Sequence, residues 1–134
     1  GAAEGGVSVA HRAECLFGPV LTIPAGKELT LMGGDCWAGW DGTGTATVTG
    51  AFGFVASAGK IGKLQRFKRN GNHADPTVTA TVNLTALRID ATGLGPGTYD
   101  LGGGTGTGIT YVNQGATLPA GVTLTNGKLT LVVL

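Results

Sequence analysis

The chain has 134 residues, with nine Lys and Arg against eight Asp and Glu; a net charge of +1 gives no global attraction to nucleic acid or to an anionic membrane. Hydrophobic residues at 42% are enough for a core, whereas charged residues at 13% are about half the usual share, which favours a surface partly hidden in an oligomer. The 26 glycines keep no three-residue period, which excludes collagen and assigns them to turns, bulges and close backbone approaches, and no apolar run approaches the ~20 residues of a membrane helix.

In chain order, Gly1–Ala10 is small and nearly uncharged, an extended arm or first edge strand. It carries no leader pattern, and the missing initiator Met points to processing or to a cloning scar, which leaves a removed leader open. Val20–Ile23 reads as a strand ended by Pro24-Ala25-Gly26, and Leu29–Met32 as the next, stopped by Gly33-Gly34-Asp35. Both tryptophans lie in Cys36-Trp37-Ala38-Gly39-Trp40, before an Asp41-Gly42 turn. Thr45–Thr49 alternates polar and apolar residues, and Phe52–Val55 continues after Gly50. Ile61, Leu64 and Phe67 step by three, yet Gly62 weakens a helix there, so the window reads as a strand or at most one short helix.

Thr77–Leu84 alternates for eight residues with Val78, Val82 and Leu84 on one face, and Leu87-Arg88-Ile89 follows. After the turn cluster Gly93–Gly97 come Tyr99-Asp100-Leu101, the glycine tract Gly102–Gly108 and Ile109–Val112. The tail alternates on both sides of Asn126-Gly127, a strong hairpin signal because both turn positions tolerate positive φ. Roughly nine or ten short strands with turn signals every 8–12 residues predict an all-β fold, an antiparallel β-sandwich or jelly roll. No composition shift divides the chain, so residues 1–134 form one domain. The wording T-[IL]-P-A-G-x-x-L-T occurs near both ends; two copies are too few for a solenoid array and read as two similar corners, or as a strand order with pseudo-twofold symmetry.

Chemistry-bearing residues are sparse. His11 and His73 lack a second His at metal spacing, and Cys15 and Cys36 do not form CxxC, so no metal or cofactor is expected; the cysteines form one bridge or stay as buried thiols. Ser57 lacks the G-x-S-x-G elbow, and most of the eight acids sit beside turn formers. No catalytic group is expected, and the chain reads as a non-enzyme. Gly102–Gly108 is followed by a strand and no lysine, against a phosphate loop, and reads as a flexible hairpin loop.

Two surface groups remain. Lys60, Lys63, Arg66, Lys68 and Arg69 are five of the nine basic residues; they read as a contact to an acidic neighbouring subunit or as a solvated edge guarded by lysines. Nucleic acid is disfavoured by the net charge. Trp37, Trp40 and Asp41 make a candidate sugar platform, with ring faces for C–H stacking and a carboxylate for hydroxyls; core or subunit interface is the competing reading.

The tail LPAGVTLTNGKLTL resembles the closing segments of bacterial and phage Ig-like or jelly-roll surface modules, and LTIPAGKELTL resembles strand openings in tail-fibre and spike proteins. The resemblance implies a structural module of a virion, a capsid decoration (cement) or fibre protein, β-built, oligomeric and without catalysis. A homotrimer that packs on capsid or other virion protein is the expected assembly. The alternative is a secreted or cell-surface carbohydrate-binding module, with a glycan as ligand.

Overall fold

A computed structural model describes residues 8–9, 16–17, 20–33, 35–40, 45–69, 73–74 and 79–134; at 8–9, 16–17, 35–40, 65–69 and 73–74 it describes the backbone alone. Among these residues every regular element is a strand. The first seven are β1 (Ser8–Val9), β2 (Leu16–Phe17), β3 (Val20–Thr22), β4 (Leu29–Met32), β5 (Asp35–Trp40), β6 (Thr45–Val55) and β7 (Lys63–Arg69). Six follow: β8 (His73–Ala74), β9 (Thr79–Asp90), β10 (Gly97–Gly103), β11 (Ile109–Asn113), β12 (Val122–Thr125) and β13 (Lys128–Val133). The window around Leu64 and Phe67 is thus strand. Within the expected N-terminal arm, only Ser8–Val9 are among the described residues.

The strands form two sheets. The first runs β1-β4-β6-β9-β11, with β3 also on β6; the second runs β12-β13-β10-β7-β5-β2, with β8 also on β7. From β4 to β11 the chain changes sheet at nearly every corner: β4, β6, β9 and β11 lie in the first, β5, β7 and β10 in the second. Every pairing in the first sheet is parallel, as are β2–β5, β5–β7 and β7–β10 in the second. A chain that alternates sheets and returns parallel to its previous visit winds as a two-sided solenoid.

The all-β expectation holds, with thirteen strands among the described residues; the antiparallel sandwich or jelly roll does not describe their pairing. Among the described residues antiparallel strand pairing is confined to β10–β13, β12–β13 and β7–β8, with isolated antiparallel bridges at Ser57/Lys60 and Gly104/Ile109. Short strands bounded by turn residues arise equally when a chain doubles back within a sheet and when it crosses to the opposite one. Only the tail specified a reversal: Asn126 and Gly127 have φ of 53° and 71°, the left-handed pair that a two-residue hairpin demands. The solenoid also escaped a search for periodicity because its coils differ in length. Ser8 pairs with Thr30, a step of 22 residues; Leu29 with Phe52, 23; Thr45 with Thr79, 34; Ala80 with Ile109, 29.

Stacked coils place like residues in columns, and inward columns of the first sheet build the core. Leu29, Phe52 and Leu87 are aligned and buried, as are Leu21, Val48, Val82 and Tyr111. The second sheet faces them with Leu64, Leu101, Leu129 and Leu131 in the same cluster. Burial of each large apolar side chain stabilises by about 1.5–3 kcal/mol. No charged side chain among the described residues is buried. Val82 and Leu84 lie on the inner face as the alternation predicted; Val78 lies outside the described residues.

The two Pro-Ala-Gly corners are the same turn. Lys27 N donates to Pro24 O at 3.0 Å and Val122 N to Pro119 O at 3.1 Å, with φ of 78° at Gly26 and 83° at Gly121. A hydrogen-bonded four-residue turn with positive φ at its third residue is type II, which selects glycine there. Their settings differ: a Cβ at Gly26 would meet nothing within 4 Å, whereas one at Gly121 would press on the Val132 carbonyl oxygen. The glycine tract divides: Gly104 and Ile109 form an isolated antiparallel bridge that closes a short turn, as a hairpin loop would, while its first two residues do not belong to that turn. Gly102 and Gly103 belong to β10, and the chain crosses from there to β11 in the other sheet. A Cβ at Gly102 would lie 2.5 Å from Leu64 O, so the absent side chain lets β10 pass against β7 where parallel stacking hands over to the antiparallel tail.

Candidate functional site

The first sheet's outer face carries the most regular surface. Inward Ala46 and Val48 alternate with Thr45, Thr47 and Thr49 on β6; inward Ala80 and Val82 alternate with Thr79, Thr81 and Asn83 on β9. Parallel register sets Thr45 beside Thr79, Thr47 beside Thr81 and Thr49 beside Asn83. β3 extends the second and third rows with Val20 and Thr22, and β11 with Thr110 and Val112. The hydroxyls of Thr45 and Thr79 share a 2.7 Å hydrogen bond, and Asn83 Nδ2 donates to Thr49 Oγ1 at 3.3 Å. Such ladders restrain the relative twist of neighbouring strands.

A β-bulge at Gly50/Ala51 ends this array. Beyond it Thr30, Gly53 and Arg88 are aligned on β4, β6 and β9. Glu28 reaches across Gly53 to Arg88, which donates through Nε to Oε2 at 3.0 Å and through Nη2 to Oε1 at 2.6 Å. Thr30 Oγ1 adds a 2.7 Å hydrogen bond to Oε1. A Cβ at Gly53 would collide with the Glu28 carboxylate, so the glycine leaves the trough in which the ion pair lies. The Arg88 hydrogen bonds hold the Glu28 carboxyl below its ordinary pKa, and raise that of Arg88.

The second sheet holds the residues singled out in the sequence. β5 pairs with β7 so that Trp37 is aligned with Arg66, Gly39 with Lys68 and Trp40 with Arg69. The aromatic stretch and the basic window, read separately in the sequence, therefore occupy neighbouring strands. Asp41 lies outside the described residues, as do His11 and Cys15; Cys36 and His73 are described by their backbone alone. Of the five cations, Arg66, Lys68 and Arg69 are described by their backbone alone. Lys60 sits exposed in the Ser57–Lys60 turn, whereas Lys63 Nζ lies 3.4 Å from Asp100 Oδ2, a carboxylate oxygen that Lys128 Nζ approaches at 3.8 Å. Asp100 also accepts from Gly102 N at 2.8 Å beside a β-bulge.

Sequence reasoning missed the role of Asp100, whose only signal was an acid two residues before a glycine tract. It missed the threonine array too, although its signal was present: Thr-Ala-Thr-Val occurs at 45–48 and again at 79–82, the very residues that pair. Among the described residues no group of three His, Cys, Asp or Glu converges as a metal site. No family model matches the chain, and neither a curated protein nor a solved structure does.

Proposed function

We propose that this chain is a non-enzymatic structural module of a virion, a capsid decoration or fibre component, that works through subunit packing as a homotrimer. The observation that carries the reading is the end of the second sheet. There β12 offers a four-residue edge strand, and Val132 on the neighbouring strand is 41% exposed. An open edge beside an exposed aliphatic residue favours strand addition by a neighbouring subunit. On this reading the basic residues Lys60, Arg66, Lys68 and Arg69 meet an acidic partner, while Lys63 is already paired with Asp100. Light scattering at micromolar concentration tests this: a stable trimer that Val132→Glu dissociates is expected, and a monomer throughout would refute it.

The alignment of Trp40 with Arg69 favours a second reading, glycan binding at a surface, with stacking from an indole ring and hydrogen bonds from a guanidinium group. A tryptophan-fluorescence titration with sugars would respond only under that reading, and Trp40→Ala would abolish the response.

A further inference from the structure

The outer face of the first sheet is a two-dimensional array. Up to the bulge at Gly50/Ala51, its ten outward positions on β3, β6, β9 and β11 comprise seven threonines, one asparagine and two valines, with no ionisable group among them; the Glu28–Arg88 pair lies beyond the bulge. Register is unbroken from Thr45/Thr79 to Thr49/Asn83 and along both flanking strands. The positions therefore repeat at the strand spacing of ~4.8 Å in one direction and at ~6.7 Å, two residues of strand, in the other. Thr22, Thr45, Thr79 and Thr110 are exposed, and Thr47, Thr49 and Thr81 half-buried.

Area and charge decide what covers such a face. At about 30 Å² of plane per position, ten positions offer roughly 300 Å², well below the ~800 Å² per partner of a stable protein interface. A second copy of the chain is therefore a poor occupant. The absence of charge removes the attraction for nucleic acid, acidic glycans and anionic lipid. Neutral crystalline polysaccharide is bound on aromatic platforms, and no ring lies in the array. What remains is a neutral lattice of hydrogen-bonding oxygens that repeats in two directions, which hexagonal ice presents at spacings of this order. Threonine suits it twice over: the hydroxyl donates and accepts hydrogen bonds with lattice water, and the methyl orders the water beside it.

We propose that this face binds ice. The proposal is independent of the assembly through the second sheet, which leaves the array uncovered. The test is thermal hysteresis and inhibition of ice recrystallisation by the full chain. The wild type is expected to show both, with Thr81→Lys, at the middle of the array, reduced to the buffer baseline. Thr110→Lys, on an exposed position of the flanking strand, is expected to lose most of the activity. Ala25→Lys, exposed in the first Pro-Ala-Gly turn and outside the array, keeps it. Circular dichroism checks that each variant is folded, and Thr110→Lys decides the question if Thr81→Lys is not. A wild type without activity on ice would overturn the proposal, including one retained on microcrystalline cellulose or chitin, as would activity undiminished in a folded Thr81→Lys or Thr110→Lys.

Discussion

The two Pro-Ala-Gly turns allow backbone strain to be separated from packing. Gly26→Ala and Gly121→Ala both place an alanine at left-handed φ, 78° and 83°, at a cost of roughly 1–2 kcal/mol. At Gly26 nothing lies within 4 Å of the new methyl, so that cost is the whole effect. At Gly121 the methyl meets the carbonyl oxygen of Val132, a backbone atom held in β13, whose own N–H donates to Gly121 O at 2.9 Å. Relief of such overpacking costs about 1–3 kcal/mol more, and a distorted hydrogen bond up to ~1 kcal/mol. Gly121→Ala is therefore expected to lose about 2–6 kcal/mol in all. Urea unfolding of both variants in parallel reads the difference, provided the slope of the transition stays constant. Equal losses, or a larger loss at Gly26, would refute the assignment of β13 as the wall behind the second turn.

Ala58 adopts φ of 53° in the two-residue turn closed by mutual backbone hydrogen bonds of Ser57 and Lys60. Ala58→Gly should raise the urea midpoint, by a net stabilisation of about 0.5–1 kcal/mol after the extra chain entropy of glycine is deducted. Because hydrogen bonds from Arg88 depress the folded pKa of Glu28, the stability it contributes is present above its unfolded pKa and is lost as pH falls through the folded one. Glu28→Gln should flatten that part of the acid-side decline, by no more than ~1 kcal/mol for a solvent-accessible pair; a decline that kept its full steepness would contradict the role given to Arg88. Gly53→Ala should act through the same carboxylate, so the double variant with Glu28→Gln should lose less than the sum of the two, as groups in contact do; strict additivity in urea unfolding would count against the trough. The Asp90 carboxyl, held below its ordinary pKa by the Thr92 hydroxyl and amide, should keep its titration shift in both variants when followed by NMR.

Local chemistry was largely legible in the sequence, and pairing direction was not. Asn126-Gly127 fixed its hairpin because two consecutive left-handed residues admit one connection. The Pro-Ala-Gly repeats correctly marked two equivalent turns, since glycine at positive φ and the preceding residues define the turn within four positions. The alternation at 45–49 and 79–84 correctly separated inner from outer face. What alternation cannot encode is whether the next strand lies beside or opposite, because both arrangements bury the same alternate residues. Coil lengths from 22 to 38 residues then hid the repeat, and only the shared Thr-Ala-Thr-Val words betray which strands are neighbours. The alignment of Trp37 with Arg66 was invisible for the same reason: it follows from a coil of 29 residues that no local signal sets.

The threonine array and the Glu28–Arg88 trough depend on β6 and β9 running side by side in the same direction. Long-range nuclear Overhauser contacts between their inward side chains test this directly. Parallel register predicts that Val48 contacts Val82 and that Phe52 contacts Leu87. Contacts of Val48 with Leu87 and of Phe52 with Val82 would mean reversed strands, and would dissolve both the coil and the threonine rows.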